Sequence, residues 1–179
     1  IRADLPKHKV PDGHIAAGQN VLFRNGVVVM RPGYTPLVTG APTTNPIVGL
    51  HYYRDNVNTV RLRAASTAGF FLWTGTTWSN ITGTALTGTQ DNQARFATFM
   101  FSDATQIIAV NDVDVPQVYT GTGNFAALGG SPPIAKAVTT AFQRIVLGNI
   151  TSGGTRRSST LQVSGFQSAT SWSSTDNVN

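Results

Sequence analysis

The chain has 179 residues and no cysteine, and its 13 Lys and Arg residues outnumber 8 acidic residues, giving a net charge of +5. This length suits one sizeable core, and the lack of cysteine excludes disulfides, thiolate nucleophiles and cysteine metal sites. All acidic residues are aspartate. Strong helix formers are scarce, whereas Thr, Gly, Val, Ala, Ser and Asn are abundant, so the composition favours strands and turns. No segment has the apolar length of a membrane-spanning helix or the start of a signal peptide.

The first 19 residues are rich in Pro, Gly, Lys and His, and they predict an extended arm. The arm carries a small basic group at Lys7, His8 and Lys9. These side chains are candidates for contacts with phosphate or with a neighbouring subunit, and a solvated arm is the alternative. The net positive charge is compatible with an anionic partner but does not require one.

A β-hairpin is predicted between residues 20 and 34. Asn25-Gly26 lies between two apolar runs, and this pair tolerates the positive φ angles of a type I′ turn. Arg31 and Pro32-Gly33 then end the second strand, because proline cannot donate a hydrogen bond to a neighbouring strand.

After a linker rich in Thr, Pro and Gly, the chain shows a repeated pattern of four short strands. In the second of these strands, Val60, Leu62 and Ala64 are expected to face the core. The third strands of the two units align, since Leu-Trp-Thr-Gly-Thr at 72–76 and Val-Tyr-Thr-Gly-Thr at 118–122 are offset by 46 residues. The predicted strands are 47–54, 59–65, 69–74 and 78–82 in the first unit, and 94–101, 106–111, 117–120 and 124–128 in the second.

A third unit is expected at 134–142, 144–150 and 160–164, with a polar loop at 151–159 and no fourth strand. Units of four strands repeating every 40 to 50 residues or so are typical of β-propellers. The predicted fold is therefore all-β, with an N-terminal arm and hairpin at 1–46 and about two and a half irregular propeller blades at 47–179. The approximate blade boundaries are 47–90, 91–131 and 132–179, the last of them incomplete, so that further sequence or another chain must supply the missing blades.

No catalytic, cofactor or metal motif stands out in the sequence. The three histidines have no metal-ligand spacing, and His51 is interpreted as a strand residue. An enzyme is not predicted, because no nucleophile elbow, phosphate-binding loop or dinucleotide fingerprint is present. As the weakest alternative, an enzymatic role would depend on an aspartate such as Asp112 or Asp114.

Two loops have alternative interpretations. Residues 111–114 (Asn-Asp-Val-Asp) group oxygen ligands that suit calcium, but a strand-ending turn is favoured. The loop at 151–159 joins Gly-Gly to Arg156 and Arg157, which suits phosphate binding, while a mobile, solvated hairpin loop is the favoured alternative.

The residues at 20–34 carry a family resemblance. The segment Asn-Val-Leu-Phe-Arg-Asn-Gly-Val-Val-Val-Met-Arg-Pro-Gly-Tyr resembles the opening of tail nozzle proteins, also called tail hub or head-stabilisation proteins, of short-tailed bacteriophages. The repeated units, the Ala-Val-Asn-Asp-Val-Asp-Val-Pro-Gln segment at 109–117 and the Ser-Ala-Thr-Ser-Trp segment at 168–172 are similar to their counterparts there. The residues that carry the signature are Asn20, Phe23, Arg24, Gly26, Arg31, Pro32 and Gly33.

The resemblance implies a structural virion protein that is assembled in the host cytoplasm and located in the phage tail. It implies a homo-oligomeric ring, typically of six copies, that contacts the portal, the adaptor and other tail proteins. Such a ring seals the channel and gives DNA its route during ejection. Within this interpretation Lys7, Lys9, Arg156 and Arg157 are candidate DNA or subunit-interface charges, with DNA contacts independent of sequence.

A carbohydrate-binding propeller or adhesin is the alternative. Propellers display aromatic side chains on their loops, and Trp78 and Trp172 are the candidates for stacking against a sugar. No cofactor is expected under either interpretation.

Overall fold

A computed structural model describes residues 21–24, 27–30, 40–54, 59–101, 104–172 and 177–178. The chain forms two compact units, 1–39 and 40–179. The described residues contain strands and no helix, so the all-β prediction is confirmed. Among the described residues no helix is long and apolar enough to cross a membrane.

The first unit contains the predicted hairpin. Strand β1 (Val21–Arg24) pairs antiparallel with β2 (Val27–Met30), and Arg24 lies opposite Val27. The two strands are separated by Asn25-Gly26, which agrees with the predicted turn position, although these two residues lie outside the described part. Of the signature residues, Phe23 and Arg24 are in β1, and the others lie outside the described residues.

The first sheet of the second unit is a four-stranded antiparallel meander. Its strands are β3 (Ile47–Arg54), β4 (Val60–Ser66), β5 (Phe70–Trp73) and β6 (Trp78–Asn80), in the order β3-β4-β5-β6. Each strand begins within one residue of its predicted start. Alternation and aromatic residues were therefore sufficient to locate this sheet.

The second sheet repeats the same meander. Its strands are β7 (Arg95–Phe101), β8 (Ala104–Val110), β9 (Gln117–Tyr119) and β10 (Ala126–Ala127). Gly75 and Gly121, which follow the third strand of each sheet, have nearly equal φ angles of +104° and +102°. The repeat seen at 72–76 and 118–122 is therefore a repeat of backbone conformation as well as of sequence.

The third sheet corrects two predictions. Its strands are β11 (Ile134–Ala141), β12 (Arg144–Ser152), β13 (Thr155–Val163) and β14 (Asn177–Val178). The predicted loop at 151–159 is wrong, because β12 and β13 extend to a tight turn at Gly153-Gly154 with φ angles of +57° and +76°. The prediction of an incomplete third unit is also wrong, because β14 pairs with β13 and completes a four-stranded sheet.

The second sheet is covered on both sides. Strand β8 explains how, since successive side chains of a strand point to opposite faces. Ile107 and Ala109 pack in a buried cluster with the first sheet, while Ile108 and Val110 pack in a cluster with the third sheet. This arrangement accounts for the continuous apolar run in β8, which has no polar face.

Backbone hydrogen bonds also join neighbouring sheets. The amide of Phe125 donates to the carbonyl of Ile81 at 2.8 Å between the second and first sheets. The amide of Asp112 donates to the carbonyl of Ala135 at 3.0 Å between the second and third sheets. The three sheets therefore form one packed stack, in which hydrogen bonds near the strand ends join each sheet to the next.

The predicted core face of β4 is right for the burial of Ala64, which is 1% exposed, but Val60 is 48% exposed and the other side of the strand meets the second sheet. Leu72 lies opposite Arg63 and Phe70 lies opposite Ala65, and both Leu72 and Phe70 pack with the cluster facing the second sheet. The residues that face the second sheet are therefore Arg63 and Ala65, and the intervening Ala64 belongs to the opposite face. Alternation located the strand but did not decide which of its two faces meets the neighbouring sheet.

Candidate functional site

A charged cluster lies where the second and third sheets meet. Asp112, just after β8, adopts a φ angle of +72° and forms ion pairs with Lys136 of β11, at 4.0 Å, and with Arg156 of β13. Arg156 also donates through Nε to Oδ1 of Asn149 at 2.6 Å. These contacts neutralise Asp112 and tie the loop after β8 to two strands of the next sheet.

A polar cleft of about 260 Å³ adjoins this cluster. Its lining combines both signs of charge, since it includes Asp91, Asp112, Arg95 and Lys136, together with Gln93. Because the opposite charges are close together, the cleft has no excess of one sign that would select an anion or a cation. The ion pairs of Asp112 beside the cleft join the second and third sheets.

The two arginines of the predicted phosphate loop are separated by the strand that contains them. Arg156 and Arg157 are consecutive residues of β13, so their side chains leave opposite faces of the sheet. Arg156 is engaged with Asp112, whereas Arg157 is exposed. A joint phosphate clamp on a loop is therefore not formed. Lys7 and Lys9 lie outside the described residues, and the proposed role of all four charges stays a prediction.

The segment 111–114 forms the favoured strand-ending turn. Oδ1 of Asn111 accepts hydrogen bonds from the amides of Val113 and Asp114, at 3.3 and 2.9 Å. The Asp114 carboxylate accepts bonds from the Thr87 amide at 2.9 Å and from the Thr87 hydroxyl at 2.6 Å. Within the described residues no three His, Asp or Glu side chains form a metal-binding group. The turn prediction is confirmed.

Arg63 is the unexpected feature of the interior. Its side chain is 1% exposed, and Cζ lies 4.6 and 4.4 Å from the ring centroids of Tyr53 and Tyr119, which belong to different sheets. Nη2 donates to the Tyr53 hydroxyl at 3.0 Å. The Nε and Nη1 groups are buried without a hydrogen-bond partner. The attraction between a cation and aromatic faces therefore holds this guanidinium between two sheets.

Sequence reasoning missed Arg63 because its partners are remote in the chain. Tyr53 belongs to β3 and Tyr119 belongs to β9, and the sequence of β4 alone does not predict either contact. The available signal was an arginine on the inner side of β4, and Arg61 lies on that same side, opposite Tyr53. Such an arginine more often marks a solvated face.

His51 lies beside Arg63 and has a structural environment. Its ring stacks with Phe96 and Tyr53, with centroid distances of 5.3 and 5.8 Å, and Nε2 lies 3.1 Å from the Thr98 hydroxyl. Burial lowers the pKa of His51 from its usual value, and the positive charge of Arg63 lowers it further. His51 is thus a strand histidine, as predicted, and joins the first sheet to the second.

The tryptophan side chains occupy two different settings. Trp78 pairs with Trp73 across β5 and β6, with ring centroids 5.4 Å apart and both rings half-buried. Trp172 donates through Nε1 to the carbonyl of Ala169 at 3.0 Å and packs against the cluster of the third sheet. Trp172, whose role the sequence left open, is therefore a packing residue at the edge of a core.

The outward sides of the first and third sheets form two apolar surfaces. Neither surface contributes to the two buried clusters that flank the second sheet among the described residues. Leu50 and Tyr52 are 66% and 58% exposed on the first, and Leu161 is 43% exposed on the third. We define the first outer face as Leu50, Tyr52, Leu62, Ala64 and Phe71, and the third outer face as Ala137, Thr139, Val146, Gly148, Leu161 and Val163.

Exposed apolar side chains such as Leu50 and Tyr52 are candidates for protein association, whereas Ala64 and Phe71 on the same side of the first sheet are buried, at 1% and 7% exposed. These two faces, rather than a catalytic cleft, are the candidate functional surfaces of the described chain. Comparison with family models, with curated protein sequences and with solved structures found no match to this chain.

Proposed function

We propose that this chain is a structural virion protein, a ring-forming component of the tail nozzle or hub of a short-tailed bacteriophage. The observation that carries the proposal is the stack of three four-stranded meanders with outward apolar faces at both ends. In this proposal the sheets are blades of an irregular β-propeller. The resemblance of residues 20–34 to the opening of nozzle proteins supports the same assignment.

The stack suits a wall better than a reaction centre. Each sheet buries its side chains against a neighbour, and the charged cluster at Asp112 ties two sheets together. In a nozzle, such walls surround the channel, retain the packaged DNA and give it an exit. Contacts with DNA are then electrostatic and independent of sequence, and Arg157 is the described candidate whose side chain is exposed.

The proposed assembly is a homo-oligomeric ring in the phage tail, built in the host cytoplasm on the portal and adaptor. The resemblance implies six copies. The proposal includes no catalytic activity and no cofactor.

Electron microscopy and particle association test this proposal. We expect purified chain to form rings in negative stain, and antibodies against it to label one end of tailed particles. Particles that contain no copy of the chain, as measured by mass spectrometry of purified virions, would contradict the proposal.

Carbohydrate binding is the second candidate, and the Trp73–Trp78 pair is the observation that favours it. Two half-buried indole rings on neighbouring strands offer a surface on which a sugar ring can stack. A glycan array tests this function. Saturable binding that is lost in Trp78→Ala and retained in Trp172→Phe would support it, because Trp172 is engaged in packing.

A further inference from the structure

Arg63 carries a positive charge that no described carboxylate offsets. Its side chain is 1% exposed and lies between the first and second sheets. Among the described aspartates, Asp112 forms ion pairs with the third sheet, and Asp114 accepts hydrogen bonds from Thr87. Asp91 lines the cleft beside Asp112. An isolated charge is costly in a low-dielectric interior unless an opposite charge compensates it, so Arg63 calls for a further partner.

The guanidinium has donors available for such a partner. Nη2 donates to the Tyr53 hydroxyl at 3.0 Å, whereas Nε and Nη1 are buried and have no hydrogen-bond partner. The rings of Tyr53 and Tyr119 attract the cation, with Cζ 4.6 and 4.4 Å from their centroids, but they bring no net negative charge. The ring contacts therefore position the guanidinium and leave its charge and its free N–H groups to be satisfied.

A buried hydroxyl of the second sheet belongs to the same interface. Oγ1 of Thr105 is buried and has no hydrogen-bond partner. Thr105 and Ile107 are alternate residues of β8, so their side chains share one side of the second sheet, and Ile107 packs in the cluster with the first sheet. Ile107 also lies opposite Tyr119, whose ring contacts Arg63. The unpartnered atoms of the two sheets therefore belong to surfaces that face each other.

The other charged or titratable groups of this interface bring no negative charge. In the first sheet, Arg61 lies on the same side of β4 as Arg63 and opposite Tyr53, and His51 lies opposite Arg63. The second sheet contributes Tyr119. The described strands β3 to β10 contain no acidic residue. The interface is therefore cationic and suits an anion.

We propose that a small monovalent anion of the size of chloride binds between the first and second sheets, held by a free N–H group of Arg63 and by the hydroxyl of Thr105. The anion supplies the negative charge that the strands of these two sheets lack. Its site lies between two sheets of one chain, so the proposal is independent of the proposed assembly and of the outer sides of the stack.

Size and charge together select this occupant. Arg63 is almost completely enclosed, which excludes a bulky organic anion. A water molecule can accept a hydrogen bond from an N–H group but leaves the charge uncompensated. A small anion does both, and its hydrogen bond with a cation is about twice as strong as one between neutral groups. The hydroxyl of Thr105 suits the same anion, because its proton can rotate towards an acceptor.

An anion at Arg63 also changes the titration of His51. Burial lowers the pKa of His51 from its usual value, and the positive charge of Arg63 lowers it further. A bound anion opposes the second effect, so chloride raises the pKa of His51 towards its usual value. Because the coupling is reciprocal, chloride binds more tightly once His51 is protonated. The contact between the first two sheets then responds to chloride and to pH together.

Thermal unfolding of the 179-residue chain in sodium chloride and in sodium gluconate tests the site. Gluconate is too bulky to enter, and equal ionic strength makes the screening of surface charges equal. We expect chloride to raise the melting temperature in a saturable way, by about 3 °C at roughly ten times its dissociation constant. Equal melting temperatures in the two salts would overturn the proposal and would leave water and the tyrosine rings as the partners of Arg63.

Three variants locate the effect. Arg63→Met should abolish the chloride dependence, because it removes the charge and the free N–H groups. Arg157→Met is the matched control, since it removes an exposed arginine, changes the net charge equally and should keep the dependence. Thr105→Val should weaken chloride binding about tenfold through the loss of one hydrogen bond to an ion. Full chloride dependence in Arg63→Met or Thr105→Val, or its loss in Arg157→Met, would overturn the proposal.

NMR titration of His51 gives a readout that does not depend on stability. We expect the pKa of His51 to be higher in chloride than in gluconate in the wild type, and equal in the two salts in Arg63→Met. An equal pKa in the two salts in the wild type would place any bound anion away from Arg63 and overturn the proposal. If Arg63→Met does not fold, Thr105→Val replaces it, and its chloride-induced shift at one fixed chloride concentration should be smaller than that of the wild type.

Discussion

Arg63 places a guanidinium in the interior. There one contribution that lowers stability opposes two contributions that raise it. Two buried nitrogens without hydrogen-bond partners, Nε and Nη1, each cost about 1 to 3 kcal/mol. The two tyrosine rings and the bond to the Tyr53 hydroxyl offset this cost, with about 2 kcal/mol for each desolvated cation–aromatic contact. The contributions nearly cancel. Arg63 is thus better explained as a residue that fixes how two sheets meet than as a net source of stability.

Replacing Arg63 separates its volume from its charge. We expect Arg63→Met to be as stable as the wild type or more stable, because methionine fills much of the space and has no N–H group. Arg63→Ala should lose about 2 to 4 kcal/mol, because it leaves a cavity. Urea unfolding measures both variants. A loss of several kcal/mol in Arg63→Met would show that the free N–H groups are satisfied in solution.

His51 makes the contact between the first two sheets sensitive to pH. Burial and the Arg63 charge hold its folded-state pKa below the usual value of 6.5. As pH falls below 6.5, the unfolded chain binds a proton before the folded chain does, so stability falls. The contribution of His51 is full above this pH and is lost as pH falls towards the folded pKa.

Two variants test the pH dependence. We expect His51→Gln to lose less stability than the wild type between about pH 7.5 and about pH 5, the range in which histidine titrates, as measured by thermal unfolding. The arm histidines His8 and His14 remain in both chains, so the difference isolates His51. Arg63→Met should show an intermediate slope, because it removes the smaller of the two causes. Identical slopes for wild type and His51→Gln would contradict the assignment.

At the scale of elements, the β12–β13 hairpin shows that hydrophobic periodicity does not detect a polar strand. Residues 155–159 (Thr-Arg-Arg-Ser-Ser) are exposed along the strand and have no apolar alternation. Pairing with β12 holds them, since Ser152 lies opposite Thr155 and Ile150 lies opposite Arg157. A polar strand paired on one side reads as a loop when hydrophobic periodicity is the signal.

The turn of this hairpin has a specific sequence requirement. Gly153 and Gly154 both have positive φ angles, +57° and +76°, as a type I′ turn requires. We expect Gly153→Ala to cost about 1 kcal/mol and Gly153→Asn clearly less, because asparagine tolerates this conformation. Chemical denaturation measures both variants. Equal losses in the two would indicate that side-chain volume, rather than backbone conformation, limits the turn.

At the scale of the whole molecule, the sequence predicted the first two sheets of the repeat but missed the fourth strand of the third sheet. Aromatic strands and the offset between residues 72 and 118 located the first two sheets. The two-residue strand β14 is too short to carry a periodic pattern, so the third sheet was predicted to be incomplete. The facing of Arg63 depended on Tyr53 and Tyr119, whose proximity is a product of the fold. The outward sides of the first and third sheets could be identified only from the structure, which shows which side of each sheet packs against its neighbour.

The stack predicts an order of protection in hydrogen exchange. The second sheet is covered on both sides, and Ile107 and Ile108 in its centre are fully buried. We expect the amides of β8 to exchange more slowly than those of β3 and β13, as measured by exchange with mass spectrometry at a concentration where the chain is monomeric. Uniform protection across the three sheets would instead indicate that the outer faces are also covered.

The meander order of the strands has a consequence for how the chain folds during synthesis. Every pairing within the three sheets joins strands that follow each other in sequence. Contacts of short sequence separation form quickly, because little chain entropy is lost in closing them. A ribosome-bound chain can therefore complete the first sheet before the second emerges, and each new sheet finds its packing surface already made. Because the sheets form one after another as the chain emerges from the ribosome, unpaired strand edges are available for aggregation only for a short time.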